Sequence, residues 1–160
     1  MIKSFPRLII SICAVILACA ALSFHPSIGS AAAQIAPHVL TIRALDGRNG
    51  LPIKGAHLLV FAGETGEQVR QHAQHFDLQT DQNGDAQLTL KSDLLKFVQV
   101  WIDGKTLCQS RPNYVSFSVE QAVVKGLLAP NTCSHLARPT EPGELLIFAR
   151  PATLREKMAR

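Results

Sequence analysis

The sequence predicts an all-β domain: an antiparallel β-sandwich of about seven strands with a short C-terminal helix. Three observations predict it. Short runs of alternating apolar and polar residues recur after residue 38, the clearest being Ala86, Leu88 and Leu90 against Gln87 and Thr89, which is the period of a strand with one wet and one buried face. Turn pairs separate these runs, at Asn49-Gly50, Asn83-Gly84 and Asp103-Gly104, where positive φ or a tight reversal is tolerated. Helical periodicity is nearly absent before the last eight residues.

The chain of 160 residues has room for one domain and a targeting segment. Lys3 and Arg7 form a short basic start, residues 8–24 are apolar except for Ser11 and Ser23, and small residues lead to Ala31-Ala32-Ala33 before Gln34. This is the layout of a secretory signal peptide, with cleavage expected between Ala33 and Gln34. Two alternatives stay open. An uncleaved anchor is one, although the run is marginal for a span of about 20 apolar residues. The other is lipidation: Val15-Ile16-Leu17-Ala18-Cys19 is similar to a bacterial lipobox, and a lipid on Cys19 would tie the protein to a membrane face. Leu17 departs from that pattern, because small residues are usual there. The expected plan is a signal over residues 1–33, the β-sandwich over 34–152 and a helix over 153–160. The expected localisation is secreted or periplasmic, or alternatively a membrane-anchored lipoprotein.

Within the domain, residues 38–46 alternate as a first strand, with Leu40, Ile42 and Ala44 on one face. A turn follows at Asn49-Gly50, and Pro52, which lacks an N–H, suits the start or edge of a strand. Ala56, Leu58 and Val60 then alternate with His57, Leu59 and Phe61 as a second strand. Residues 62–71 contain two glycines and many polar groups and read as loop. Residues 74–80 form a short strand with Phe76 and Leu78 inward. The turn at residues 80–85 leads to the clean strand 85–91. Residues 97–103 place Val98, Val100 and Ile102 on one face and Phe97, Gln99 and Trp101 on the other. Residues 114–119 alternate again, with Val115, Phe117 and Val119 together. Residues 121–128 fit strand or helix equally, and residues 129–143 read as loop. A last strand covers residues 144–150 before Pro151. Thr153-Leu154-Arg155-Glu156 fits a capping box, with Leu154 and Met158 on one face of the closing helix.

Charge and cysteine content narrow the function classes. Sixteen basic residues face twelve acidic ones, a net +4; without Lys3 and Arg7 the domain carries +2, scattered, with no Lys/Arg run to suggest nucleic acid. Cys13 and Cys19 lie in the signal region, leaving Cys108 and Cys133 in the domain. Two cysteines in an exported domain are expected to form one disulfide. A redox pair is the poorer reading, since there is no Cys-x-x-Cys spacing.

The spacing Gly50-x-Pro52-Ile53-x-Gly55-Ala56-x-x-x-Val60, followed by Thr80-Asp81-x-Asn83-Gly84-x-Ala86-x-Leu88, resembles the carboxypeptidase regulatory-like domain. The resemblance covers residues 38–103 and implies a prealbumin-like (transthyretin-like) or Ig-like sandwich. It implies an accessory module on envelope or secreted proteins and no particular ligand. Gly55 is expected to let the backbone pass a crowded strand start, Asn83-Gly84 to supply a hairpin turn, and Asp81 to accept hydrogen bonds from that turn.

Candidate chemistry is sparse. Asp81-x-Asn83-Gly84-Asp85 starts like a calcium loop, but Ala86 and Ser92 occupy the positions that need Gly and Glu, so a plain turn is expected. His72 and His75 have metal-ligand spacing without a third ligand nearby, so no metal and no cofactor is expected. No His-x-x-Glu occurs, no Gly-x-Ser-x-Gly occurs, and the end Glu156-Lys157-Met158-Ala159-Arg160 lacks the Tyr-Arg-Gly-Ser of hydrolytic transthyretin-like enzymes. Trp101, with Phe97 and Tyr114, is the candidate binding surface; the simpler expectation is that Leu154 and Met158 of the C-terminal helix cover it. The expected function is therefore a non-enzymatic exported module that binds or scaffolds at the cell envelope, with a protein or glycan partner. A carbohydrate- or peptide-binding face around Trp101 is the first alternative, and a transthyretin-like hydrolase the second. Contact with a membrane is expected only through an uncleaved signal or lipidated Cys19.

Overall fold

The computed structural model describes residues 38–72, 74–110 and 115–158. The expectations for Cys19, Ala33, Gln34 and Tyr114 lie outside the described residues. The strands are β1 (His38–Asp46), β2 (His57–Gly63), β3 (Gln74–Gln79), β4 (Asp85–Leu90), β5 (Phe97–Ile102), β6 (Lys105–Leu107), β7 (Phe117–Ser118), β8 (Leu127–Leu128) and β9 (Glu144–Pro151). Three short helices join them: α1 (Gly66–Arg70), α2 (Val119–Lys125) and α3 (Leu154–Met158).

Two sheets form. The first runs β4-β1-β9-β6, with β8 also paired to β9; the second runs β3-β2-β5-β7. The second is antiparallel throughout. In the first, β1 pairs with β4 and β6 with β9 antiparallel, but β1 and β8 both run parallel to β9. This departs from the antiparallel expectation, and β9 shows why. Its core residues are apolar on both faces. Leu145, Ile147 and Ala149 enter the main core, while Leu146 and Phe148 pack with Leu45, Cys108 and Cys133 on the opposite side. A strand covered on both faces reads as a continuous apolar run, the signature of a parallel pairing.

One interior serves both sheets. Leu40, Ile42, Leu88 and Ile147 of the first sheet share a buried cluster with Leu58, Val60, Val100 and Ile102 of the second. Each such side chain contributes about 1.5–3 kcal/mol on burial. Leu88, Val100 and Ile147 thus share one interior.

Two stretches differ from expectation. Residues 62–71 are not all loop, because α1 forms from Gly66. Thr65 is its N-cap, accepting from Gln68 N (3.2 Å), and Gln68 Oε1 accepts in turn from Glu64 N (2.8 Å). A Thr-x-x-Gln capping signal was legible there, masked by the two glycines. The second stretch is residues 115–128. Phe117 and Ser118 form β7 and Leu127 and Leu128 form β8, but between them Ser118 accepts from Gln121 N (3.3 Å) and caps α2. Val119 therefore opens a helix, and Gly126, at φ 74°, ends it.

The two halves of the quoted motif meet in space. Thr80 Oγ1 donates to Ile53 O (2.7 Å) and accepts from Ala56 N (2.8 Å), tying the segment before β2 to the turn before β4. Asp81 Oδ1 accepts from Asn83 N (2.7 Å) and Asp85 N (2.9 Å), and these backbone bonds lower its pKa. Gly84 takes φ 79° with Ala44 O 2.6 Å from where a Cβ would lie, so the crowding belongs here. Gly55 instead faces open space and is needed for its φ of 61°, which corrects the expected role.

The C-terminal capping box forms as expected. Glu156 Oε2 accepts from Thr153 N (2.7 Å), and Glu156 N donates to Thr153 Oγ1 (3.3 Å). Arg150 grips the same carboxylate with two bonds of 2.7 and 2.9 Å. The Arg150 bonds, then those from Thr153, pull the Glu156 pKa down to about 2. A carboxylate depressed in this way stabilises the fold above its ordinary pKa and loses that contribution as pH falls through the depressed value. The first turn of α3 should therefore remain protected at about pH 4 and fray only near pH 2. The Thr153 amide shift in an NMR pH titration reads this directly, and fraying already complete at about pH 4 would refute it.

Candidate functional site

The site is built on the face of β3-β2-β5 turned away from the core. Leu58, Val60, Val100 and Ile102 point inward, so strand alternation turns His57, Leu59, Phe61, Gln99 and Trp101 outward. Register sets their neighbours. Leu59 lies between Asp77 of β3 and Trp101 of β5, and Phe61 lies between His75 and Gln99.

Helix α1 packs on β2 and β5 with Val69 buried. Where the chain leaves it, His72 takes φ 56°, the one positive-φ residue other than glycine among the described residues. Its N–H donates to Val69 O (3.1 Å), closing the helix end. That backbone lays the imidazole flat on Phe61, with centroids 3.9 Å apart at 22°. Trp101 meets both rings edge-on, 5.2 Å from Phe61 and 5.0 Å from His72. Phe61 is only 5% exposed beneath them, while Trp101 stays half-buried. The Trp101 Nε1 atom is buried and has no hydrogen-bond acceptor among the described residues.

A polar row borders the rings. His57 Nε2 lies 3.3 Å from Asp77 Oδ1 and Nδ1 lies 3.2 Å from Asp103 Oδ2, a bridge from β3 through β2 to the turn after β5. All three side chains are exposed. The face thus offers an aromatic ring beside fixed carboxylate acceptors, a combination that suits a ligand with one apolar and one hydroxyl- or amide-bearing side.

Sequence reasoning found Trp101 and missed its companions. Phe97 sits farther along β5, opposite Gly63 and Ser118. Phe61 and His72 supply the rings instead. His72 and His75 share no helix, since one follows α1 and the other lies in β3. The C-terminal helix does not cover the face: Leu154 and Met158 are 73% and 74% exposed. The covering elements are α1 and His72.

Residue 72 therefore invites a test. A residue with a Cβ at positive φ costs about 1 kcal/mol relative to glycine, and the ring stack returns a similar amount. His72→Ala should lose about 1 kcal/mol, while His72→Gly should stay within about 0.5 kcal/mol of the parent in urea unfolding. Equal losses for both variants would show that the backbone there is unstrained.

Elsewhere, Cys108 and Cys133 stand at disulfide distance, with S–S 2.07 Å and Cα–Cα 5.4 Å, as expected. Asn131 and Ser134 donate to Gly47 O (2.9 and 2.6 Å), fixing the same loop against the turn after β1. No helix among the described residues is long and apolar enough to cross a membrane. Comparison with family models, with curated proteins and with solved structures finds no match to this chain.

Proposed function

We propose that this chain is a non-enzymatic, exported β-sandwich module of the carboxypeptidase regulatory-like kind, which binds a glycan or protein partner at the cell envelope. The signal-like residues 1–33 support export, and a cysteine pair at bonding distance fits an oxidising compartment. Two sheets closing on one interior fit the sandwich. The carrying observation is Trp101: half-exposed, braced by Phe61 and His72, and bordered by the His57, Asp77 and Asp103 row. A sugar ring stacks its C–H face on such an indole while its hydroxyls reach the carboxylates, so a glycan is the favoured ligand.

Isothermal titration calorimetry with soluble envelope polysaccharide fragments tests the site. The parent should show saturable binding and Trp101→Ala none, with unchanged far-ultraviolet dichroism. Equal binding by the two proteins would remove Trp101 from the site. Mass spectrometry of the protein recovered from cells tests export: Gln34 as first residue, or a diacylated Cys19, supports it, and an unprocessed cytoplasmic chain overturns it.

A further inference from the structure

Strand β3 is the outermost strand of its sheet: β2 takes one side, and no strand among the described residues takes the other. The hydrogen-bond phase identifies the free groups. Thr80 N donates to Ala56 O (3.0 Å) across β2 and β3, and Asp103 N donates to His57 O (3.1 Å) across β2 and β5. Antiparallel ladders alternate by residue. The even residues of β3 therefore bond to β2, and His75, Asp77 and Gln79 turn their N–H and C=O groups to the open side. All three are exposed.

This edge lacks the usual protections against pairing. Its sequence Gln-His-Phe-Asp-Leu-Gln has no Pro and no Lys, and its register with β2 is unbroken over six residues. Phe76 and Leu78 point toward the core but remain only half-buried, since no strand among the described residues flanks them on the open side.

We propose that the occupant of this edge is a second copy of the chain, pairing its own β3 antiparallel about a two-fold axis at Phe76. Charge selects both partner and register. Pairing must join odd residue to odd residue, since those carry the free groups. An axis at Asp77 would set Asp77 against the partner's Asp77, a destabilising like-charge pair. An axis at His75 would set the two histidines together, and one at Leu78 would leave Asp77 against the partner's Gln79. An axis at Phe76 places His75 opposite the partner's Asp77 and Asp77 opposite the partner's His75. It also brings Phe76 against the partner's Phe76 at a non-hydrogen-bonded position, where side chains approach most closely. The interface is isologous, as a two-fold dimer requires, and it joins two four-stranded sheets into one of eight strands. It stands on the open backbone edge of β3, although Asp77 also belongs to the polar row beside Trp101, where it lies 3.3 Å from His57. Five strand spacings would separate the two Trp101 side chains on that surface, about 24 Å.

Sedimentation velocity of the processed protein between about 1 and about 200 µM tests this. The parent should dimerise. His75→Asp and Asp77→His should each weaken the dimer, His75→Asp by about tenfold through two like-charge pairs. The double swap His75→Asp with Asp77→His should restore it. His75→Pro, tolerable at an open edge, removes one ladder donor and should leave a monomer with parental dichroism. A parent that is monomeric throughout, a dimer indifferent to His75→Asp, or a swap that fails to rescue would each overturn the proposal.

Discussion

Replacing Arg43 with alanine should cost about 3 kcal/mol of stability, the loss expected when one partner of a buried ion pair is removed. Arg43 joins three adjacent strands. Its Nε and Nη2 donate to Asp85 of β4 (2.7 and 2.9 Å), and its Nη1 lies 2.8 Å from Glu144 Oε1 at the start of β9. The Glu144 contact is close but not aligned as a hydrogen bond. The two halves are unequal. The Arg43 side chain is 38% exposed, so water screens its bond to Asp85. Glu144 is 7% exposed, and among the described residues its carboxylate accepts a hydrogen bond only from Glu141 N (3.0 Å). Arg43→Ala strands that charge in the interior. Asp85→Asn should cost less than about 1 kcal/mol, and adding Glu144→Gln to Arg43→Ala should recover part of the loss. Urea midpoints for the four proteins decide it: equal losses for Arg43→Ala and Asp85→Asn would show that Glu144 is solvated.

Removing the crosslink should be comparably costly. Cys108→Ser with Cys133→Ser frees a loop spanning 25 residues of sequence separation, worth about 3 kcal/mol in the chain-entropy account. The sulfurs also pack with Leu45, Leu146 and Phe148, so their loss thins the cover on the outer side of β9. The double variant should unfold at a lower urea concentration than the parent, and reductant should shift the parent to meet it. Thiol titration of the native parent processed to Gln34 should find no free thiol. A parent whose midpoint ignores reductant would mean that residues 129–143 hold themselves through Asn131 and Ser134 alone.

Much of the frame was legible because alternation is a local signal. β4 and β5 announce themselves in six residues each, and Thr153 with Glu156 marks α3 by spacing alone. The parallel pairing of β9 was also written in the chain, as the uninterrupted apolar run from Leu145 to Ala149, but it becomes readable only when that strand is recognised as covered on both faces. The short helices were harder, since five to seven residues hold too little period to outweigh neighbouring glycines. At the candidate site Trp101 could be chosen from its strand face. Phe61 and His72 could not, because the first depends on the register of β2 against β5 and the second on a left-handed backbone turn after α1. Neither quantity is a property of nearby residues.

The order of the first sheet bears on how the polypeptide acquires its shape. β9 comes late in the sequence yet lies between β1 and β6, both made long before it. Until residues 144–151 emerge, β1 has an empty flank and β6 has no neighbour in its sheet. The first sheet therefore closes only once residues 144–151 are available, so its four-strand order is set late. Clipping off that late segment would strip β1 of one neighbour and leave β6 unpaired in its sheet.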